Sequence, residues 1–349
     1  MAATRHSPEV REFILRNVEN HPADIGTLTG EKFGLSRTTV SNYMRRIEGE
    51  GLIRGEGKTK GRRYKLEILS GESFTIALSR DLAEDEIFRV RVLPLMLNVK
   101  QNIVDICQYG FTEMFNNACD HSGSSNGLVS YEQTYTTIKM IVSDGGVGIF
   151  EKIQQAFNLA DPRSALLELS KGKLTSDKTR HSGEGIFFTS RMFDDFCIRS
   201  GHLFYTRERG EGDYEWLIET HDVSDYRQGT VVQMVISTAA SWTTREIFDF
   251  YQQDDILFRR THVPVKLGRY PGEQLVSRSQ AKRILARFNE FSEVLLDFND
   301  VAFIGQPFAD EIFRVFANAH PGTKVVVMRT SPDVQKMINF VEGAAQAKS

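Results

Sequence analysis

A short apolar run that breaks into glycines constrains this chain more than any other feature. Ile141-Val142-Ser143 leads into Asp144-Gly145-Gly146-Val147-Gly148-Ile149. The first part reads as a buried strand. The glycines let the backbone turn and let a bound group approach it closely. An acidic side chain at the end of such a strand can accept a hydrogen bond from an adenine amino group, which makes Asp144 a candidate ligand reader.

Two more stretches carry chemistry on either side of it. Phe111 to Ser122 reads as a helix on which Glu113, Asn117 and Asp120 are three or four residues apart and share a face, with Met114, Phe115 and Ala118 turned to the core. An amide one turn from a carboxylate can hold Mg²⁺ through Asn117 while Glu113 polarises a water. His121 reads as a hydrogen-bonded histidine at a helix end rather than a metal ligand. Further on, His181-Ser182-Gly183-Glu184-Gly185 reads as a glycine turn opening a helix, whose first amides suit phosphate.

Taken in order, these stretches resemble the N, G1 and G2 boxes of the GHKL (Bergerat-fold) superfamily, and Gln228-Gly229-Thr230 opening a late strand agrees. The resemblance covers residues 99–238 and implies an α/β sandwich with a mixed sheet and helices on one face. It implies ATP and Mg²⁺ as ligands, Glu113 as general base, Asn117 as the Mg²⁺ ligand and Asp144 as the adenine reader. Asp120, Gly146, Gly148, Gly183 and Gly185 join the cofactor-binding set, and Thr230 supports the adenine. Residues 150–182 would be a lid, with Lys171, Lys173, Lys178 and Arg180 as the cations that can reach phosphates; Lys178 is carried into the binding set. The usual Gly-Leu of the third box is replaced by Ile186-Phe187.

Charge is distributed unevenly. Residues 1–66 hold 13 basic and 8 acidic side chains, a net of +5 that leaves −8 for the rest of a chain at −3 overall. A basic end on an acidic body points to a polyanion partner for that end. Pro8 to Asn20 has helical apolar spacing, Asp24 can cap a second helix through Phe33, Gly34 breaks the chain, and Ser36 can cap a third helix, Arg37 to Gly49. The third helix turns Val40, Tyr43, Met44 and Ile47 inward and Arg37, Thr38, Thr39, Ser41, Asn42, Arg45 and Arg46 outward, the side chains that reach base edges and phosphates. A Gly- and Lys-rich ribbon with Lys58, Lys60, Arg62 and Arg63 follows. The stretch resembles the winged helix-turn-helix family, which implies DNA as a partner.

After a connector at 67–98 and the GHKL-like region, residues 240–349 follow a βαβα rhythm that resembles STAS domains, most closely a STAS-like domain of unknown function. Phosphorylated STAS antagonists carry a hydroxyl in the turn after their strand, whereas here the turn is Ile304-Gly305-Gln306-Pro307. Asp310, Glu311 and Arg314 on the next helix form either a docking surface or a solvated face.

The expected fold class is therefore multidomain α+β: a mostly helical winged helix, a Bergerat sandwich and a STAS-like α/β domain. Cys107, Cys119 and Cys197 form no C-x-x-C pair, and neither a signal segment nor an apolar stretch of spanning length is present, so a reducing, cytoplasmic setting without membrane contact is expected. The expected function is an ATP-binding, slowly hydrolysing regulator that binds DNA, with a homodimer and a protein partner at the STAS-like domain as further expectations. A Glu at position 113 fits ATPase and kinase branches alike. The alternatives are a serine or histidine kinase acting on a partner in trans and an ATP-stabilised scaffold without turnover.

Overall fold

The computed structural model describes residues 7–57, 61–173, 184–210, 214–220, 222–253, 257–270 and 272–346. The N-terminal module holds helices α1 (Ser7–Asn17), α2 (Ile25–Phe33) and α3 (Arg37–Gly49), then an antiparallel ribbon of β1 (Ile53–Glu56) and β2 (Arg63–Leu66). Its helix boundaries follow local chemistry. Gly34 takes φ 62 to end α2, and the Ser36 hydroxyl accepts from the Thr39 N–H at 3.2 Å to begin α3. Val10, Ile14, Val18, Ile25, Val40, Met44 and Ile47 make a core of its own, closed by Ile53 and Leu66.

The middle of the chain builds a seven-stranded sheet. Its strands are β3 (Ser70–Ala77), β4 (Asn126–Gln133), β5 (Thr137–Asp144), β6 (Asp195–Gly201), β7 (Leu203–Glu208), β8 (Tyr214–Glu219) and β9 (Arg227–Ser237). The order is β3-β4-β5-β9-β6-β7-β8. Every neighbouring pair runs antiparallel, which corrects the expected mixed sheet. The reason is connectivity: β3, β4, β5, β6 and β7 pair with sequence or near-sequence neighbours, and β9 returns between β5 and β6 against both. The segment 67–98, expected as a connector, supplies the edge strand β3 and a helix, α4 (Glu84–Ile87), continued by a π turn and a 3₁₀ turn to Leu95. Buried Phe74, Phe88 and Val92 join it to the sheet core.

Helices cover one face of the sheet, where α5 (Gln101–His121) crosses β5 and β9. α6 (Ile149–Phe157), α7 (Pro162–Lys171) and α8 (Gly185–Met192) follow, with α8 against α5. Along β5 the even residues Ile138, Met140 and Val142 are buried against these helices while Thr137, Lys139 and Ile141 are only half-buried on the other face.

The last region opens with α9 (Thr244–Tyr251), begun by a reciprocal Thr243–Glu246 capping box, and a two-residue ribbon, β10 (Gln252–Gln253) and β11 (Leu257–Phe258). Three parallel strands follow: β12 (Arg260–Pro264), β13 (Glu293–Asp297) and β14 (Lys324–Met328). Helix α10 (Arg278–Leu285) crosses from β12 to β13. The return to β14 is one helical rod of α11 (Gln306–Asp310), a π segment and α12 (Ala317–Ala319), and α13 (Pro332–Gln346) closes the layer. This region has no core separate from the sheet. One continuous cluster of buried side chains runs from Phe74 to Val341 and includes Phe111, Leu167, Phe188, Val263 and Phe288. Among the described residues no helix is long and apolar enough to cross a membrane.

Candidate functional site

The open end of β5 meets the C-terminal half of α5 and helix α6 around a solvent-accessible cleft. Asn117, His121, Asp144, Gly148, Lys152 and Thr230 supply its polar lining. Met114, Val142, Ile153, Leu169 and Ile186 supply apolar walls. A mostly apolar cleft with a few convergent polar groups is the usual form of a small-molecule site.

Asp144 is oriented by its own turn. Its Oδ1 accepts from the Gly146 N–H at 2.9 Å. Burial pushes its carboxyl above the usual carboxylate range, opposed by the Gly146 and Thr230 N–H groups and by the Lys152 charge. The neighbouring turn is tight. Val147 N–H donates to the Ser122 carbonyl at 3.1 Å, and a β-carbon at Gly146 would run into that carbonyl. Gly148 takes φ 95, and a β-carbon there would meet Ser200 Oγ at 2.5 Å. Thr230, across the ladder from Asp144, accepts the Ile149 N–H on its hydroxyl at 3.1 Å and so fixes the first turn of α6.

Glu113 lies one turn before Asn117 on α5, and its carboxylate packs against Gly185. A β-carbon at Gly185 would collide with Glu113 Oε2, so glycine is what lets the start of α8 come this close. Asp120 turns toward Arg80 at 3.8 Å. Asn117, Asp144, Gly148 and Thr230 thus meet at the cleft, Glu113 and Gly185 meet each other beside it, and Asp120 faces a cation. Lys178, Arg180 and Gly183 lie outside the described residues.

Two lysines expected at phosphates are used elsewhere. Lys171 is fully buried, and its Nζ donates to Glu168 Oε1 at 2.6 Å and to the Ala286 carbonyl at 2.8 Å. Lys173 Nζ donates to the Glu290 carbonyl at 2.9 Å. Their position beside residues 286–290 is a tertiary fact that spacing along the chain does not carry. Lys152 is the cleft cation that sequence reasoning missed. It donates from Nζ to the His121 carbonyl, and burial lowers its pKa, with Arg80 acting in the same direction and Asp120 and Asp144 opposing. Its only signal was its place one turn into the helix after Gly148.

On the N-terminal module, Arg37, Thr38, Ser41, Asn42, Arg45 and Arg46 are exposed on one face of α3, with Thr39 half-buried at its start. Arg45 donates to Asn42 Oδ1 at 2.5 Å, and Arg46 pairs with Glu50 at 3.1 Å. Arg63 is exposed, but Arg62 grips Glu48 at 2.6 and 2.8 Å and braces the ribbon against α3 instead of projecting from it. Lys58 and Lys60 lie outside the described residues.

At the C-terminal ends of the parallel strands a buried Asp297 accepts from Arg329 Nε at 2.9 Å and lies 3.1 Å from His262 Nε2. Burial alone would raise its pKa, but the bonds from His262 and Arg329 prevail and hold it at about 2. On the helix read as either a docking surface or a solvated face, the charges are paired within the fold: Asp310 binds Arg314 at 2.5 Å and Arg278 of α10 at 3.4 Å, and Glu311 is buried beside Arg278 and Lys282. Gly305, in the turn without a hydroxyl, packs its backbone on Val276, 2.8 Å from a β-carbon position.

Fold and cleft together define a multidomain α+β protein in which a helix-covered antiparallel sheet carries the site. Its C-terminal part is identified more closely: residues 280–335 match the family model of a STAS-like domain of unknown function (DUF4325). No curated protein matches the chain.

Proposed function

We propose that the chain is a nucleotide-responsive DNA-binding regulator: a GHKL-type ATP site of the Bergerat fold, preceded by a winged helix and followed by the STAS-like domain. One observation carries the reading: Asn117, Asp144 and Thr230, from three separate chain segments, converge on one cleft. The residues fit ATP with Mg²⁺. The glycine turn at 145–148 lies so close to Ser122 and Ser200 that β-carbons at Gly146 and Gly148 would collide with them, and Asp144 beside it offers an acceptor for an exocyclic amino group. Among the described residues no three His, Cys, Asp or Glu groups gather as a metal cage. That suits Mg²⁺, which takes much of its octahedral shell from phosphates and water.

In this reading Asn117 would hold the Mg²⁺, Asp144 with Thr230 would position the base, and the first amides of α8 would be available to phosphate. Bound ATP supplies the phosphoanhydride bond. Glu113, beside Gly185, would serve as the general base that accepts a proton from the attacking water. The turn at Gly305 offers no hydroxyl to phosphorylate in cis, which favours hydrolysis over transfer to the chain's own STAS-like domain. The exposed α3 face, with Arg37, Thr38, Asn42, Arg45 and Arg46, suits a DNA groove, and Arg63 suits its backbone.

The test is Mg²⁺-ATP binding and phosphate release, with and without duplex DNA. Wild type binds. Asp144→Asn weakens binding by about 100-fold, the loss expected for a hydrogen bond to a charged group. Glu113→Ala binds but releases no phosphate. Wild type that binds no ATP overturns the proposal.

A further inference from the structure

Helix α7 forms part of the cleft wall through Leu169, and it is fastened at both ends to residues outside the sheet. At its start, the Tyr270 hydroxyl bonds the carboxylate of Asp161, the α7 cap, and Arg163 lies 5.6 Å from the centre of the Tyr270 ring. At its end, Thr261 Oγ1 donates to the Lys171 carbonyl at 2.7 Å. Arg287 spans the joint. Its Nη1 donates to Glu168 Oε2 at 3.2 Å, and its Nη2 donates to the carbonyls of Gly172 and Lys173 at 3.0 and 2.7 Å. Glu168 and Lys171 are 6% and 0% exposed, so their pair forms away from water, with half-buried Arg287 at its edge, and losing one partner there is costly. Arg287 itself adopts φ 63, a left-handed backbone that a non-glycine residue holds only when its surroundings fix it.

Leu169 stands between Glu168 and Lys171 on the same turn, so whatever fixes the clamp also fixes the wall of the cleft. We infer that the STAS-like domain governs nucleotide affinity by holding α7 in place, with Arg287 as the positioning residue. This rests on the nucleotide reading of the cleft. It gives the STAS-like domain a role that needs no phosphoacceptor: movement of residues 286–290, brought about by anything bound to that domain, shifts Leu169. By linkage, nucleotide in the cleft stiffens 286–290 in return.

Hydrogen exchange of the full chain with and without Mg²⁺-ATP, paired with equilibrium binding of a fluorescent ATP analogue, tests this. Nucleotide slows exchange at 162–173 and at 286–290 together. Arg287→Gln weakens analogue binding by roughly tenfold and speeds its release, as loss of charged hydrogen bonds at the joint predicts. Arg287→Lys recovers part of the loss, because a cationic donor remains but cannot span Glu168 and the two carbonyls as the guanidinium does. Protection that stops short of 286–290, or an Arg287→Gln protein that melts normally and binds as wild type does, overturns the inference. If Arg287→Gln does not fold, the wild-type exchange pattern still decides. Wild type that binds no nucleotide sinks this inference and the proposed function together; wild type that binds while 286–290 stays unprotected sinks this inference alone.

Discussion

Residues 7–66 and residues 260–346 both adjoin the central sheet, but different forces join them to it. The N-terminal module keeps a core of its own, and at the β4–β5 turn it meets the sheet through Tyr135, whose ring packs on that core and whose hydroxyl joins a small polar cluster. There the Tyr135 hydroxyl donates to Glu12 Oε2 at 2.8 Å and accepts from Arg11 Nη1 at 3.2 Å, and Arg11 reaches on to Glu50 at 3.1 Å. The C-terminal region shares its buried apolar cluster with the sheet and adds the buried Glu168–Lys171–Arg287 clamp. A joint of one ring and a few half-buried polar groups is worth far less than a shared core and leaves orientation more adjustable. A shared close-packed core transmits displacement and fails as a unit. Under the proposed function, this contrast would let the N-terminal module reorient while the C-terminal region is felt at the cleft.

The sharpest way to break this comparison is a pair of core truncations read by two probes. Both tryptophans, Trp216 and Trp242, lie outside the N-terminal module, so fluorescence reports only the larger body while circular dichroism reports both. Phe288→Ala, at a fully buried ring packed against Phe316, lowers the stability seen by fluorescence by about 3–5 kcal/mol. Ile14→Ala, equally buried, costs its own module about 2–5 kcal/mol but leaves the fluorescence transition where it was. A fluorescence transition that moves with Ile14→Ala would show one cooperative unit in place of two.

A smaller effect comes from pH. Asp297 is held at about 2 in the folded chain against an ordinary value of 3.8. A depressed carboxylate stabilises the fold above its unfolded pKa and loses that contribution as pH falls through the folded value. The larger body therefore loses about 2 kcal/mol between about pH 4 and pH 2, and Asp297→Asn removes that slope. Unfolding curves that keep the same acid slope in Asp297→Asn would assign it to other groups.

The smallest effect belongs to the polar joint. Tyr135→Phe removes the hydroxyl that bonds Arg11 and Glu12 and costs about 1 kcal/mol at most. Its consequence is orientational: exchange at α1 rises while both unfolding transitions stay near their wild-type positions. A large drop in either transition would mean that the joint is part of a core after all.

What the sequence determined by itself is what neighbours along the chain decide. Helix α3 spans the expected Arg37 to Gly49, because Ser36 caps it and the apolar spacing within it sets its inward face. Strand β14 and the opening of α8 at Gly185 also fall where expected, and Asn117, Asp144 and Thr230, singled out from short local motifs, line one cleft. Strand β12 was not legible. Arg260-Thr-His-Val-Pro is short, partly polar and ends in proline, and it is a strand because β13 lies beside it. Nor could the chain alone show that Lys171 and Lys173 turn to residues 286–290, that Arg62 is taken by Glu48, or that Asp297 gathers His262 and Arg329. Caps, glycine turns and helical faces act over a few residues, so sequence writes them directly. A long cationic side chain can serve any carboxylate or carbonyl within its reach, and only the packed tertiary structure selects which one is there.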